Sequence, residues 1–376
     1  MNLPDSKKVP RPLSRRPVLL AGIGLAAVVV LVIAVLGLRP LLGSGRAVGW
    51  PYATGSFVSS SPVVVDGVVY VGGWDKKVYA LHAATGDVRW TYTTGNSVSS
   101  GPAVDGGVVY IGSFDHKVYA LNAATGAVRW SYTTGDSVSS GAVVAGGVVY
   151  VGSNDDKVYA LDAATGDVRW TYTTGGDVRS RPAVADGVVY VGGWDKKVYA
   201  LDAVTGDVRW THATGRAVDS SPAVAGGVVY IGGWDRKVYA LDAVTGDVRW
   251  SHATGLPVSS GPAVAEGVVY VGSSDDKVYA LDAATGDVRW THATGDDVDA
   301  TPAVGDGVVY VGSSDGKVYA LDAATGDVRW TYTTGDDVHG GPAVADGTVY
   351  VGSDDGKVYA LTTATGKPAT PPGDAE

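Results

Sequence analysis

Cysteine is absent from this 376-residue chain. That absence excludes disulfides, thiolate metal sites, a cysteine nucleophile and a lipid-modified N-terminal cysteine. Phenylalanine occurs twice and methionine once, so the hydrophobic content of 45 % rests on other side chains, above all valine, with 21 tyrosines and 11 tryptophans. Basic residues are scarce after the N-terminus. Lys7, Lys8, Arg11, Arg15, Arg16, Arg39 and Arg46 against Asp5 give residues 1–46 a charge of +6, so the remainder of a chain of net charge −10 carries −16. An acidic body argues against nucleic acid as a partner, because phosphate contacts need clustered Lys and Arg.

Long hydrophobic runs are missing too, with one exception. PVLLAGIGLAAVVVLVIAVLGL, residues 17–38, has no charged residue over 22 positions. As a helix it would measure about 33 Å, close to the ~30 Å hydrocarbon core of a bilayer. It exceeds the about 7–15 apolar residues of a signal peptide, and the RPLLGSG that follows offers no clean small-x-small cleavage site. The expectation is one uncleaved transmembrane anchor. The basic excess before it puts residues 1–16 in the cytoplasm as a short tail and, after a linker at 39–45, everything else outside the cell membrane.

What the chain has in abundance is repetition. Tryptophan recurs at 50, 90, 130, 170, 210, 250, 290 and 330, a strict 40-residue period. KVYAL and VY[VI]G each occur eight times. Within one unit, residues 97–134, SVSSGPAV, VVYIGS, KVYALNA and VRWSYTT read as four strands, separated by Gly- and Asp-rich turns. Forty residues and four strands per unit predict propeller blades. The last copy, KVYALTTATGKPATPP, lacks the VRW strand, and Pro368 opposes a regular ladder there. Its missing piece stands at the front, where RAVGWPYATG matches DVRWTYTTG without a blade of its own. The expectation is an all-β, eight-bladed propeller of four-stranded antiparallel blades over residues 46–366. The N-terminal strand closes the ring, and residues 367–376 form a disordered Pro-rich tail.

ALDAATGDVRW at 160–170, 280–290 and 320–330, and ALDAVTGDVRW at 200–210 and 240–250, fit the A-x-D-x-x-T-G-x-x-x-W tryptophan-docking pattern, from which His82, Asn122 and Thr362 depart at the Asp position. On these residues the chain resembles the PQQ-like β-propeller repeat family, which includes quinoprotein alcohol dehydrogenases, an outer-membrane assembly lipoprotein and kinase sensor domains. The resemblance implies that Trp50, Trp90, Trp130, Trp170, Trp210, Trp250, Trp290 and Trp330 are structural, each packed between neighbouring blades against the motif glycine.

Function is sought where the copies disagree. The hairpin between the second and third strands reads Trp74, Phe114, Asn154, Trp194, Trp234, Ser274, Ser314 and Asp354. Two residues on it reads Lys76, His116, Asp156, Lys196, Arg236, Asp276, Gly316 and Gly356. The Asp between them is constant and reads as turn chemistry, since one carboxylate per hairpin cannot supply the six to eight oxygens calcium takes. A second variable stretch starts the innermost strand: Ser59, Ser99, Ser139, Arg179, Asp219, Ser259, Asp299 and His339, then Ser61, Gly101, Gly141, Arg181, Ser221, Gly261, Thr301 and Gly341. Alternation along a strand would point Arg179 and Arg181 together. With Asp296, Asp297, Asp336 and Asp337, the last three blades gather acid. Both stretches belong to one face. Either duplicated copies drifted at loop tips, or the face binds a ligand through exposed Trp74, Trp194 and Trp234, with Phe114, Lys76, Lys196, Arg236, Arg179, Arg181, Asp219, Asp299 and His339 beside them. His212, His252 and His292 sit on three separate blade rims and cannot converge on a metal.

A PQQ-dependent dehydrogenase is the alternative. The resemblance would then imply a channel site with calcium, an Asp base and a quinone sandwiched by a tryptophan and a vicinal disulfide. The missing cysteines, the absence of Trp on the innermost strands and the uniform 40-residue repeats argue against it. The preferred expectation is a non-catalytic binding or scaffolding module without cofactor or metal, whose partner is a protein or glycan of the cell envelope.

Overall fold

The computed structural model describes residues 50–369. The expected tail, anchor and linker at 1–45 lie outside them, as do residues 370–376. No helix among the described residues is long and apolar enough to cross a membrane.

Among the described residues, thirty-two strands form eight separate four-stranded sheets with every ladder antiparallel; strands neighbour in chain order in seven of them, and in the eighth Tyr52–Ala53 joins Lys357–Thr362. Blade 1 is Val63–Val65, Val68–Gly72, Lys77–His82 and Val88–Thr93; blades 2 to 7 repeat it at 40-residue steps, and blade 8 repeats its first three strands. The two middle strands are buried on both faces, as their unbroken apolar runs require, because each sheet lies between two others. The outermost strand alternates instead. In Val168–Thr173 only Trp170 is buried, with exposed or half-buried neighbours.

The core is therefore eight layers, each shared by two blades. In one, Tyr70, Val78, Ala80 and Trp90 of blade 1 pack on Val109, Ile111, Tyr119 and Leu121 of blade 2. The docking tryptophans stand where the resemblance places them. Trp90 Nε1 donates to the Ala123 carbonyl of the next blade (2.9 Å), which also accepts from Tyr70 Oη (3.1 Å). The indole lies flat against Gly126, so that a Cβ there would come within 2.7 Å of Trp90 Cε3.

Closure occurs at blade 8. Tyr52–Ala53 pairs with Lys357–Thr362, Tyr52 opposite Val358 and Ala53 opposite Lys357. Trp50 Nε1 reaches the Ala83 carbonyl of blade 1 (3.1 Å), as does Tyr350 Oη (3.1 Å). Pro368 and Ala369 share in this strand. Pro368 bridges Leu361, where a complete blade has Val328 opposite Leu321, and Ala369 N donates to the Ala360 carbonyl (2.8 Å). Residues 52–53 and 368–369 thus build one outer strand.

Candidate binding face

Each incoming loop is fastened to the hairpin of its own blade, which puts the two variable stretches on one face. Trp74 N donates to the Phe57 carbonyl, Trp194 N to Asp177 and Ser274 N to Pro257, all at 2.9 Å. The constant hairpin aspartate makes a second fastening. Asp115 Oδ2 accepts from Gly95 N of the incoming loop (2.6 Å) and from Tyr119 Oη (2.7 Å). Burial, and then this bond, push the Tyr119 hydroxyl above its ordinary pKa. The position two beyond Trp74 takes positive φ in every blade, from Lys76 (70°) and Arg236 (67°) to Gly316 (73°) and Gly356 (79°). Lys76, His116, Lys196, Arg236 and Asp276 are exposed at this hairpin position.

The aromatics form two groups. Trp74 lies between Phe57 (6.2 Å between ring centres) and Phe114 (5.9 Å), both nearly edge-on, so the only two phenylalanines of the chain flank one tryptophan. Phe57 and Trp74 are 47 % and 40 % exposed. Phe57 belongs to the site although no periodic signal singled it out; its rarity in the composition could have done so. The second group corrects an expectation. Trp194 and Trp234 are half-buried rather than exposed, because they pack on each other at 5.5 Å. Trp194 is engaged further: the Arg179 guanidinium stacks 3.8 Å from its ring centre, and its Nε1 donates to Asp219. Trp234 Nε1 is buried without a partner. The residue 25 positions on, which is Asp219 for Trp194, is the shorter Ser259 for Trp234.

Arg179 and Arg181 do not point together. Residues 179–181 precede the ladder, which begins at Ala183, so strand alternation does not govern them. Arg179 is held by Asp177 (2.8 Å) beside Trp194. Arg181 turns back over Gly141 of blade 3, with its Nε donating to the Ala142 carbonyl (3.1 Å), and burial lowers its pKa.

The acidic sector does come together. Asp276, Asp296 and Asp297 hold carboxylate oxygens within 4.8 Å of one another. Burial first, then the negative charges of Asp299, Asp296 and Asp276, raise the Asp297 pKa. Asp299 is raised by burial against the opposing pull of His339 and the Ser274 hydroxyl (3.3 Å). His339 lies 3.4 Å from Asp337 and 3.6 Å from Asp354, and Asp354 also accepts from Ser59 (2.9 Å). Lys76, Lys196 and Arg236 stand exposed at their hairpin tips. His212, His252 and His292 stay apart, each packed on a tyrosine of the next blade at 5.5–5.7 Å.

A ring of eight nearly identical blades, docked through tryptophan and varied on one face, defines the tryptophan-docked propellers. Within that class, the chain belongs to the family described as outer membrane protein assembly factor BamB, whose pattern matches residues 44–138, 115–257, 195–297 and 291–369. No curated protein sequence matches it. Among solved structures it is similar to BamB from Moraxella catarrhalis, with a TM-score of 0.73 and 24 % identity over 83 % of this chain and 98 % of that one. The computationally designed Ika8 protein gives a TM-score of 0.76 at 18 % identity, over 85 % of this chain and all of that one. Quinohemoprotein alcohol dehydrogenase from Comamonas testosteroni gives 0.73 at 18 % identity, over 86 % of this chain and 77 % of that one. Identities this low speak to the fold.

Proposed function

We propose that the chain is a membrane-tethered, extracytoplasmic propeller that binds a protein or glycan of the cell envelope through its variable face and catalyses no reaction. One observation carries this reading: the blades share a nearly constant frame, while aromatic, basic and acidic side chains are distributed unequally over one face. A rigid ring that varies on one side is suited to recognition. The geometry of closure supports it. The strand Tyr52–Ala53 runs from Trp50, bonded to Ala83 on the constant face, to Thr54, bonded to Gly356 on the variable face (2.8 Å). The described chain begins at Trp50 on the constant face, which favours a variable face left free for a partner. The similarity to an outer membrane assembly factor favours a protein partner.

A quinone-dependent reading finds less support. Half of the first ring of variable positions is serine, and Trp194, which bonds Asp219, is already occupied by Arg179 and Asp219.

Cross-linking of the full chain in envelope extract, followed by identification of what is joined to it, tests the proposal. The expected result is one specific protein or glycan, lost when Trp74, Trp194 and Trp234 are replaced by alanine in a variant that keeps its near-ultraviolet dichroism. Equal capture by both proteins would move the contact off the aromatics. Capture of nothing, together with dye reduction after addition of PQQ, calcium and an alcohol, would replace the reading with an enzyme.

A further inference from the structure

Where blade 5 meets blade 6, the variable face holds an open cavity of about 370 Å³ lined by Arg216, Trp234, Asp235, Arg236, Leu256 and Pro257. Five of these six residues occupy positions at which the repeats differ. In the incoming loops, the residue after the constant glycine reads Ser56, Asn96, Asp136, Gly176, Arg216, Leu256, Asp296 and Asp336. Arg216 is the only base in that series and Leu256 the only large apolar residue, and they stand in consecutive loops. Pro257 is the one proline at the next position, and Arg236 the one arginine at the hairpin tips. Residues found once each among the copies thus converge on a single hollow.

The chemistry of this lining is specific. The chain is acidic, and on the opposite face Arg169, Arg209, Arg249, Arg289 and Arg329 each grip an aspartate at 2.8 Å. Arg216 and Arg236 have no side-chain hydrogen bond or ion pair among the described residues. Asp235 forms no ion pair with either. Its Oδ2 accepts from Gly215 N (2.8 Å) and Tyr239, and its Oδ1 is buried without a partner. Two uncommitted guanidiniums suit a carboxylate or phosphate, which arginine meets with two parallel N–H donors. Beside them lie an indole backed by Trp194, a leucine that is 48 % exposed, and a proline ring. The volume falls at the small end of ligand cavities, about 300–1,000 Å³.

We propose that this cavity binds a small organic anion with a flat apolar body. The carboxylate or phosphate head lies with Arg216 and Arg236, and the body lies on Trp234, Leu256 and Pro257. The proposal rests on the reading of this face as a binding surface and names a ligand class for one part of it.

Calorimetric titration of the detergent-solubilised full chain at low salt tests this, with benzoate and phenyl phosphate as probes and benzamide and inorganic phosphate as controls. At least one aromatic anion should bind, and benzamide and inorganic phosphate should bind at least about tenfold more weakly. Arg216→Gln and Arg236→Gln should each weaken the anion by about tenfold or more, while Arg209→Gln on the opposite face changes nothing. Both arginines are exposed, so the variants should unfold as the wild type does. No binding at millimolar probe, unchanged binding in both variants, or equal binding of benzamide would overturn the proposal. Anion binding without any captured envelope partner leaves it standing while the scaffolding reading falls. Capture of a partner by a chain that binds neither probe sinks this inference alone.

Discussion

Gly126 and Gly107 share a φ of 73°, yet one faces the Trp90 indole and the other open space. Alanine at Gly107 meets only the backbone penalty, about 1 kcal/mol. Alanine at Gly126 adds a contact of 2.7 Å with a ring that cannot retreat, because its Nε1 is tied to Ala123. Overpacking of this kind costs about 1–3 kcal/mol more. Gly126→Ala should therefore destabilise by about 2–4 kcal/mol in urea unfolding, and Gly107→Ala by about 1 kcal/mol. The tryptophan–glycine pairing was legible because both residues recur every 40 positions. The partners of Trp194 were not. Asp219 lies 25 residues away on another blade and Arg179 reaches it from a non-ladder segment, so neither follows from a local rule of spacing. Phe57, Arg216, Leu256 and Pro257 escaped for a related reason: each is a single departure in a loop, and only the fold brings such departures together.

At the level of the strand, the outermost position opposite Val198, Val238 and Val278 is histidine, where other blades have tyrosine. Burial lowers the pKa of His212, His252 and His292 below the ordinary histidine value of 6.5. Below 6.5 the unfolded chain then binds more protons than the folded one, so stability falls as pH drops through that window. Asp219, Asp299 and Asp354 act oppositely. Their raised pKa values make the folded state the better proton acceptor above 3.8, and stability rises as pH falls towards them. The triple variant His212→Tyr, His252→Tyr, His292→Tyr isolates the first effect. Between pH 7 and 5 its melting temperature should fall less than that of the wild type; an identical slope would show that these imidazoles do not couple folding to protons. The strands themselves were readable from alternation and turn residues. Alternation failed at Arg179 and Arg181 because it holds for extended ladders, and those residues precede one.

For the whole molecule, a 40-residue period and two complementary half-repeats were enough to foresee eight blades and their closure. The share of Pro368 and Ala369 in the closing strand was less visible, since a proline there gives one bridge rather than a ladder. Closure rests on few groups, which makes it separable from the rest. Trp50→Ala should cost about 3–5 kcal/mol, and its effect should be local. Amide exchange should quicken over 343–362 and around Ala83, while blades 3 to 5 keep their protection. Uniform loss of protection would mean that the ring opens as one unit.

The two-residue strand Tyr52–Ala53 also decides how the molecule answers force. Tension applied through the N-terminus falls first on two backbone pairs and one indole, whereas a pull on any interior blade must shear ladders several residues long. A chain held from that end has its clasp next to its leash. Stretching would unlatch blade 8 before disturbing the others, and the ring could snap shut again once slack returned.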